Sequence, residues 1–229
     1  MSSSALFDDR REAGRLLAAA VRDLVDLARP EDPAWPHAIV LALPRGGVPV
    51  GFEVARELRL PLDVFVVRKL GVPGDEELAM GAIASGGVIV VQPDFLNALG
   101  IPPATLEAVA ARERLEIERR EALYRASRPP LPLAGRTAIV VDDGAATGST
   151  MKAAVRALRS MHSQFAPRRI VVAIPLAAPS TRAELEREAD QIVCLATPEP
   201  FHAVGSFYRT FEQTSDDEVR AILAQPAEP

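Results

Sequence analysis

The run from residue 139 to residue 150, IVVDDGAATGST, most constrains what this chain can fold into. Ile139, Val140 and Val141 are β-branched and typical of a buried strand. Two acids follow, and then glycines and small or hydroxyl residues that permit a tight turn into a helix beginning near Thr150. In an open α/β sheet, ligands bind at the carboxyl ends of the strands. The run therefore predicts a strand, a ligand-binding loop and a helix.

The same order of strand and helix repeats along the chain. Short continuous apolar runs predict strands at residues 38–43, 62–67, 137–141, 169–175 and 192–195. Apolar residues at helical spacing predict helices at residues 6–28, 50–58, 150–161, 180–189 and 216–223. This alternation predicts an α/β fold with a doubly wound, mainly parallel sheet flanked by helices.

Other segments interrupt this alternation. Residues 70–80 are predicted as a loop, and Ser85-Gly86-Gly87 between two short apolar runs predicts a hairpin. A long charged stretch at about 102–128 predicts a solvated helix that lies over the sheet.

We expect three parts. Residues 1–36 carry an N-terminal helix, residues 37–196 form the core with the charged helix inserted in it, and residues 197–229 form a C-terminal tail. Either terminal part is a candidate for a hood over the site.

Charge and cysteine content narrow the function classes. The chain has 229 residues and 26 Lys plus Arg against 31 Asp plus Glu, a net charge of −5, whereas nucleic-acid binding needs a basic surface. The single cysteine, Cys194, excludes a disulfide within the chain. No segment approaches the roughly 20 apolar residues of a membrane span. We therefore expect a cytoplasmic protein that binds neither nucleic acid nor membrane.

The loop after the acids is a candidate phosphate site. Backbone amides and the hydroxyls of Thr147, Ser149 and Thr150 would converge at a helix N-terminus, which favours an anion. Asp142 and Asp143 directly before the loop suit a ligand with a phosphate at one end and hydroxyls or a metal ion at the other. A sugar phosphate fits this description. The alternative is a plain polar turn into a capped helix, with both acids solvated.

The run resembles the phosphoribosyl pyrophosphate motif of type I phosphoribosyltransferases. Its form, with the inserted charged helix and an aromatic C-terminal tail, is most similar to a group of bacterial members assigned from sequence. The resemblance implies the fold of that family with a small hood, and transfer of ribose 5-phosphate from 5-phosphoribosyl-1-pyrophosphate (PRPP) to a nitrogenous base or amine. It also implies Mg²⁺ as cofactor and pyrophosphate as the leaving group, and it leaves a homodimer open.

The family assigns roles to the residues of this motif. In the resemblance, Asp142 and Asp143 hold the ribose hydroxyls directly or through Mg²⁺, and they are the metal ligands. The residues implied to bind the 5′-phosphate are Gly144, Ala145, Ala146, Thr147, Gly148, Ser149 and Thr150.

Two further segments match the family in order. Residues 44–47 are similar to its pyrophosphate loop, often built around a non-proline cis peptide, where Gly46 and Gly47 permit close approach and Arg45 adds a charged contact. Arg68 and Lys69 are similar to a pair that touches pyrophosphate in adenine and orotate phosphoribosyltransferases. The resemblance thus implies Asp142, Asp143 and Lys69 as catalytic residues. It also places a mobile catalytic lid at residues 70–80.

One departure bears on the acceptor. Enzymes of this family that act on 6-oxopurines carry an aspartate for proton transfer where this chain has Ala146. That argues against a 6-oxopurine and leaves adenine, orotate or another base or amine open. The tail offers side chains that either stack on a base or pack the tail onto the sheet, namely Phe201, His202, Phe207, Tyr208 and Phe211.

Three functional hypotheses follow from these residues. The first is an active phosphoribosyltransferase, which Arg45, Arg68, Lys69 and both acids favour. The second is a regulatory protein that senses PRPP and has weak turnover. The third, an aspartate phosphatase or receiver domain, is less favoured because those folds place no Thr-Gly-Ser-Thr loop directly after the acids.

Overall fold

A parallel sheet forms the centre of the protein. The computed structural model describes residues 5–27, 37–91, 93–126 and 128–225. Its strands are β1 (Ile39–Ala42), β2 (Leu62–Val64), β3 (Val67–Val72), β4 (Asp75–Ala84), β5 (Ile89–Val91), β6 (Thr137–Val141), β7 (Arg169–Leu176) and β8 (Gln191–Ala196). Five of them form a sheet in the order β2-β1-β6-β7-β8, with every neighbouring pair parallel. The predicted α/β fold with a mainly parallel sheet is confirmed.

Helices cover both faces of this sheet. They are α1 (Arg10–Leu27), α2 (Gly47–Leu58), α3 (Pro93–Ala98), α4 (Pro103–Arg125), α5 (Ser149–Ser160), α6 (Pro179–Glu188) and α7 (Asp216–Leu223). Side chains alternate along each strand, so Ile139 packs towards α1 and α2 while its neighbour Val140 packs towards α5. Of the described residues, no helix combines the length and apolarity needed to cross a membrane.

A second sheet, with the antiparallel order β3-β4-β5, corrects two predictions. The strand predicted at 62–67 ends at Val64, because the chain then turns away and begins β3 at Val67. The loop predicted at 70–80 is a hairpin, since β3 and β4 leave only residues 73–74 between them. Arg68 and Lys69 therefore lie within a strand of the second sheet. The predicted hairpin around Ser85 is confirmed as the turn from β4 to β5.

Helix α4 joins the two sheets. It was predicted at about 102–128, and it ends at Arg125, with residue 127 outside the described residues. The prediction of a solvated helix is only partly right, because one side packs beneath the second sheet through Val109, Ala110 and Ile117. Near its end Arg125 is buried and pairs with Asp63 at 2.8 Å. The short helix α3 was not predicted.

The two terminal segments pack against each other. The amide of Leu6 donates to the carbonyl of Phe207 at 2.8 Å, and the rings of Phe7 and Tyr208 lie 5.4 Å apart. Phe207 and Tyr208 are 4% and 5% exposed, so these two aromatic side chains pack the tail rather than offer a stacking surface. The start of α1 is thereby fixed beside the tail.

Candidate functional site

Two loops meet at the carboxyl ends of β1 and β6. The amide of Leu43 donates to the carbonyl of Val141 at 2.9 Å, which brings the following residues together. A Cβ added to Gly47 would lie 2.6 Å from the Val141 carbonyl oxygen, and one added to Gly46 would lie 2.0 Å from Oδ2 of Asp143. At Gly47 only glycine allows this approach, because the neighbouring atoms are backbone. The peptide bond before Arg45 is cis.

The acid pair lies directly above this glycine loop. The amide of Asp143 donates to Oδ1 of Asp142 at 2.9 Å, and both residues are partly buried. Burial raises the pKa of Asp142, and the neighbouring carboxylate of Asp143 raises it further. Burial also raises the pKa of Asp143, while Arg10 opposes that rise. Two carboxylates held together in this way favour a bound cation.

Asp142→Asn is expected to raise the melting temperature of the ligand-free protein at pH 7. The folded-state pKa of Asp142 lies above its ordinary value of 3.8, so its stabilising contribution is present below that value and is lost as pH rises through the folded-state pKa. The uncharged asparagine side chain does not suffer this loss of stability. Its Oδ1 can still accept the hydrogen bond from the backbone amide of Asp143. Melting temperatures of the wild type and of Asp142→Asn, measured between about pH 4 and pH 8, should become equal at the acid end of that range.

The control is Asp23→Asn, which changes an exposed acid of α1 and should leave the curve as in the wild type. Equal melting temperatures for Asp142→Asn and wild type at pH 7 would contradict the expectation.

Arg10, at the start of α1, also belongs to this site. Its Nε lies 2.8 Å from Oδ2 of Asp143, a guanidinium NH donates to the carbonyl of Glu212 at 2.7 Å, and the group stacks 3.8 Å from the ring centre of Phe211. The hydroxyl of Tyr208 donates to the backbone carbonyl of Asp143 at 2.6 Å. Sequence reasoning missed Arg10, because it lies 133 residues from its partner and belongs to no motif.

The loop after the acids is held by its backbone. The amide of Ala145 donates to Leu176 at 2.9 Å, and Thr181 donates its hydroxyl to the carbonyl of Ala146 at 2.5 Å. Gly148 has a φ of 63°, and a Cβ there would lie 2.6 Å from Cγ2 of Thr181. These contacts fix the loop against β7 and α6.

Helix α5 begins at this loop with its first turn open. Gly148 is the N-cap residue and provides no side-chain cap, and the hydroxyls of Thr147 and Ser149 lie 3.1 Å apart. Ala146, Thr147, Ser149 and Thr150 are exposed. The Ser149 amide donates to Oγ1 of Thr147 at 3.4 Å, a long hydrogen bond that a stronger acceptor could replace. The first-turn amides and the helix dipole make this end of α5 suited to a phosphate.

A cavity of about 660 Å³ separates the second sheet from α5. The predicted pair Arg68 and Lys69 lines it from β3, and Ser149 and Thr150 line it from α5. Basic side chains outnumber acidic ones around it; the basic residues are Arg68, Lys69, Arg112, Lys152 and Arg156, and the acidic residues are Glu76 and Glu113. Such a lining suits an anion.

Several of these cations already have carboxylate partners. Arg68 pairs with Glu113 at 2.8 Å, and Lys152 pairs with Glu184 on α6 at 2.5 Å. The pyrophosphate contact that the resemblance implies for Arg68 would therefore compete with Glu113.

Arg45 pairs with the C-terminal helix α7. Its guanidinium lies 3.7 Å from Oδ1 of Asp216 on α7, and the hydroxyl of Tyr124 donates to the same oxygen at 2.7 Å. Burial, followed by the effect of Asp216, raises the pKa of Tyr124 to about 12. Gly46 and Gly47 thus lie beside the acids, whereas the side chain of Arg45 contacts the C-terminal helix.

The acid pair could hold Mg²⁺ only together with ligands from water and substrate. Within the described part of the chain, no group of three or more His, Cys, Asp or Glu side chains could hold a metal ion. Asp142 and Asp143 offer carboxylate oxygens, and Mg²⁺ commonly takes one or two such ligands and completes its shell with water and substrate oxygens. The residues present therefore suit an ion that arrives with a phosphate-bearing ligand.

Comparison with known proteins gives consistent matches. A sequence model described as the phosphoribosyl transferase domain matches residues 10–208. A Mycobacterium tuberculosis H37Rv protein with the provisional name phosphoribosyl transferase is 47% identical over 218 residues, covering 95% of this chain and 46% of that protein. The chain thus spans about half the length of the curated relatives it matches.

Solved structures agree on the fold. The crystal structure of TT1426 from Thermus thermophilus is 42% identical, has a TM-score of 0.79, and is matched over 95% of this chain and 97% of that one. A hypothetical protein from Neisseria gonorrhoeae, solved with bound ppGpp, is 14% identical with a TM-score of 0.50 over 97% of each chain. At that identity the second match supports the fold alone.

Proposed function

Because the chain belongs to the phosphoribosyl transferase family, we propose that it transfers ribose 5-phosphate from PRPP to a nitrogenous base or amine and releases pyrophosphate. One observation carries this proposal. The Gly46–Gly47 backbone lies against Asp142 and Asp143, and the open first turn of α5 follows in the same run of sequence. These three surfaces suit the pyrophosphate, the ribose and the 5′-phosphate, in the order in which PRPP carries these groups.

Each part of PRPP is assigned to particular groups. The carboxylates of Asp142 and Asp143 accept hydrogen bonds from the ribose hydroxyls, and the loop from Gly144 to Thr150 binds the 5′-phosphate through amides and hydroxyls. The Gly46–Gly47 backbone, Arg68 and Lys69 bind the pyrophosphate. Arg45 adds to that binding when it releases Asp216.

Catalysis then consists mainly of positioning and electrostatics. Asp142 and Asp143 would hold Mg²⁺ together with PRPP, and the ion, when bound, neutralises charge on the leaving pyrophosphate. The chain's own contribution is to fix the ribose by its hydroxyls and the 5′-phosphate by the loop, so that C1 faces the acceptor nitrogen. Lys69 supplies positive charge where the pyrophosphate separates.

The reaction exchanges one bond at C1 for another. The bond from C1 to the pyrophosphate oxygen breaks with both electrons leaving on oxygen, and the acceptor nitrogen forms the new bond and passes its proton to solvent water. Ala146 provides no group to take that proton. We therefore propose an acceptor other than a 6-oxopurine, such as adenine, orotate or another base or amine.

A PRPP-sensing regulatory protein with weak turnover is the second candidate. The observation that favours it is the pairing of two expected pyrophosphate contacts with carboxylates, Arg45 with Asp216 and Arg68 with Glu113. A ligand must break both pairs to use those arginines. Binding without efficient release of pyrophosphate would fit such a site.

One experiment distinguishes the transferase from the PRPP-sensing regulator. The protein is incubated with PRPP, Mg²⁺ and a panel of bases and amines, and pyrophosphate release is measured for each. We expect release above the acceptor-free rate with at least one compound and none with hypoxanthine, guanine or xanthine. Saturable PRPP binding without release for any acceptor would overturn the transferase and favour the regulator. Release with hypoxanthine would contradict the argument from Ala146.

A further inference from the structure

The ion pair between Arg10 and Asp143 joins the N-terminal helix to the acid pair. We propose that Arg10 is a positioning residue for the PRPP site, and this inference rests on the proposed function. Arg10 engages Oδ2 of Asp143 and thereby fixes the orientation of the carboxylate that, in the proposed function, meets a ribose hydroxyl or a metal ion. Arg10 lies outside the three segments that carry the resemblance, residues 44–47, 68–69 and 139–150.

The side chain of Arg10 is held on several sides. Besides the pair with Asp143 at 2.8 Å, it donates to the carbonyl of Glu212 at 2.7 Å and stacks 3.8 Å from the ring centre of Phe211. It is 12% exposed, whereas the surface pair of Arg209 with Asp8 is 75% and 60% exposed. An exposed pair contributes little because its side chains keep their freedom. Arg10 has lost that freedom, so it can impose an orientation on its partner.

The backbone of Asp143 is held independently of Arg10. Tyr208 donates to the Asp143 carbonyl at 2.6 Å, and the Asp143 amide donates to Asp142. Gly46 lies directly against the carboxylate. Loss of Arg10 should therefore free the carboxylate group and leave the loop in place.

Arg10 also sets the charge that a ligand meets. Two carboxylates share a partly buried site, and the guanidinium of Arg10 places a positive charge 2.8 Å from Oδ2 of Asp143. This lowers the repulsion between Asp142 and Asp143 before any ligand binds. A fixed countercharge on the outer oxygen of Asp143 thus prepares both acids to act together.

Calorimetric titration of PRPP with Mg²⁺ into three variants tests the proposal. Arg10→Ala should weaken PRPP binding by about tenfold or more, because a charge-assisted contact to the carboxylate is lost. Arg10→Lys should recover part of the affinity, since it restores the charge without the planar group that stacks on Phe211. Arg15→Ala, which removes an exposed arginine of the same helix, should bind as the wild type does.

Melting curves of the ligand-free variants separate positioning from folding. Unchanged or tighter PRPP binding by folded Arg10→Ala would overturn the proposal. If Arg10→Ala does not fold, the folded Arg10→Lys variant decides, and wild-type affinity in it would overturn the proposal. Absence of PRPP binding by the wild type would instead defeat the proposed function, so the two failures are distinguishable.

Discussion

Replacing both acids, Asp142→Asn with Asp143→Asn, is expected to weaken PRPP binding by about 100-fold or more. The two carboxylates accept the ribose hydroxyls and share Mg²⁺ in the proposed function, and a hydrogen bond to a charged group contributes about 1.5–3 kcal/mol. Two such losses correspond to a factor of at least about 100 in the dissociation constant. Calorimetric titration with Mg²⁺ present measures it directly.

The matched control is Asp217→Asn, which alters a 91% exposed acid on α7 that pairs with Arg220. Its affinity for PRPP should equal that of the wild type. The double variant removes buried negative charge but also takes the carboxylate partner from Arg10, so a melting curve of the ligand-free variant must show that it is folded before weak binding is interpreted. Wild-type affinity in the double variant would show that the ribose lies elsewhere.

Gly47→Ala is expected to have the second largest effect. The added Cβ would lie 2.6 Å from the Val141 carbonyl oxygen and 2.9 Å from the Cα of Asp142, so it must push two backbones apart. Overpacking of this kind costs about 1–3 kcal/mol, which corresponds to about 5- to 150-fold if the strain falls on the PRPP site. Both the free energy of unfolding and PRPP affinity should fall, as denaturant titration and calorimetry would measure.

Two other glycines test this explanation. Gly46→Ala meets the side chain of Asp143 rather than backbone, and a side chain can rotate, so PRPP affinity should fall with less loss of stability. Gly100→Ala places a Cβ at a φ of 62° with no atom within 4 Å, so it should cost stability and leave PRPP affinity unchanged. Unchanged PRPP affinity in Gly47→Ala would show that the two loops do not bind a common ligand.

The central sheet and its loops were predictable because their signals are local. Three β-branched residues, two acids and a glycine-rich turn lie next to one another, and parallel strands bring all such loops to one edge. Gly46 and Gly47 follow the neighbouring strand, so their contact with Asp143 follows from the topology. The sequence pattern and the tertiary structure therefore place these two loops at the same edge of the sheet.

The second sheet was harder to predict because its strands lack a strand's usual pattern. Gly71, Pro73 and Gly74 are typical of a loop, and Asp75 and Glu76 are charged and exposed. Their strand conformation comes from antiparallel pairing of β3 with β4 and from the packing of Leu70 and Met80 on α4. These are tertiary effects that override local propensity. Whether this hairpin moves as a lid stays a prediction.

The contacts of single charged side chains were the least predictable. Arg45 and Arg68 were expected at pyrophosphate, yet they pair with Asp216 and Glu113 from distant elements. A long side chain reaches several partners, and sequence alone does not rank them. Arg10 is the converse case. It lies at the acid pair although nothing near it in sequence predicts that contact.

The packing of the N-terminal segment on the tail has a consequence for the order of synthesis. The ribosome makes Arg10 about 200 residues before Phe211, and Asp143 is made between them. The contacts of the guanidinium with Glu212 and Phe211 can form only after the tail has been synthesised. A nascent chain that has already formed the central sheet therefore still lacks the two tail contacts that hold Arg10 beside Asp143.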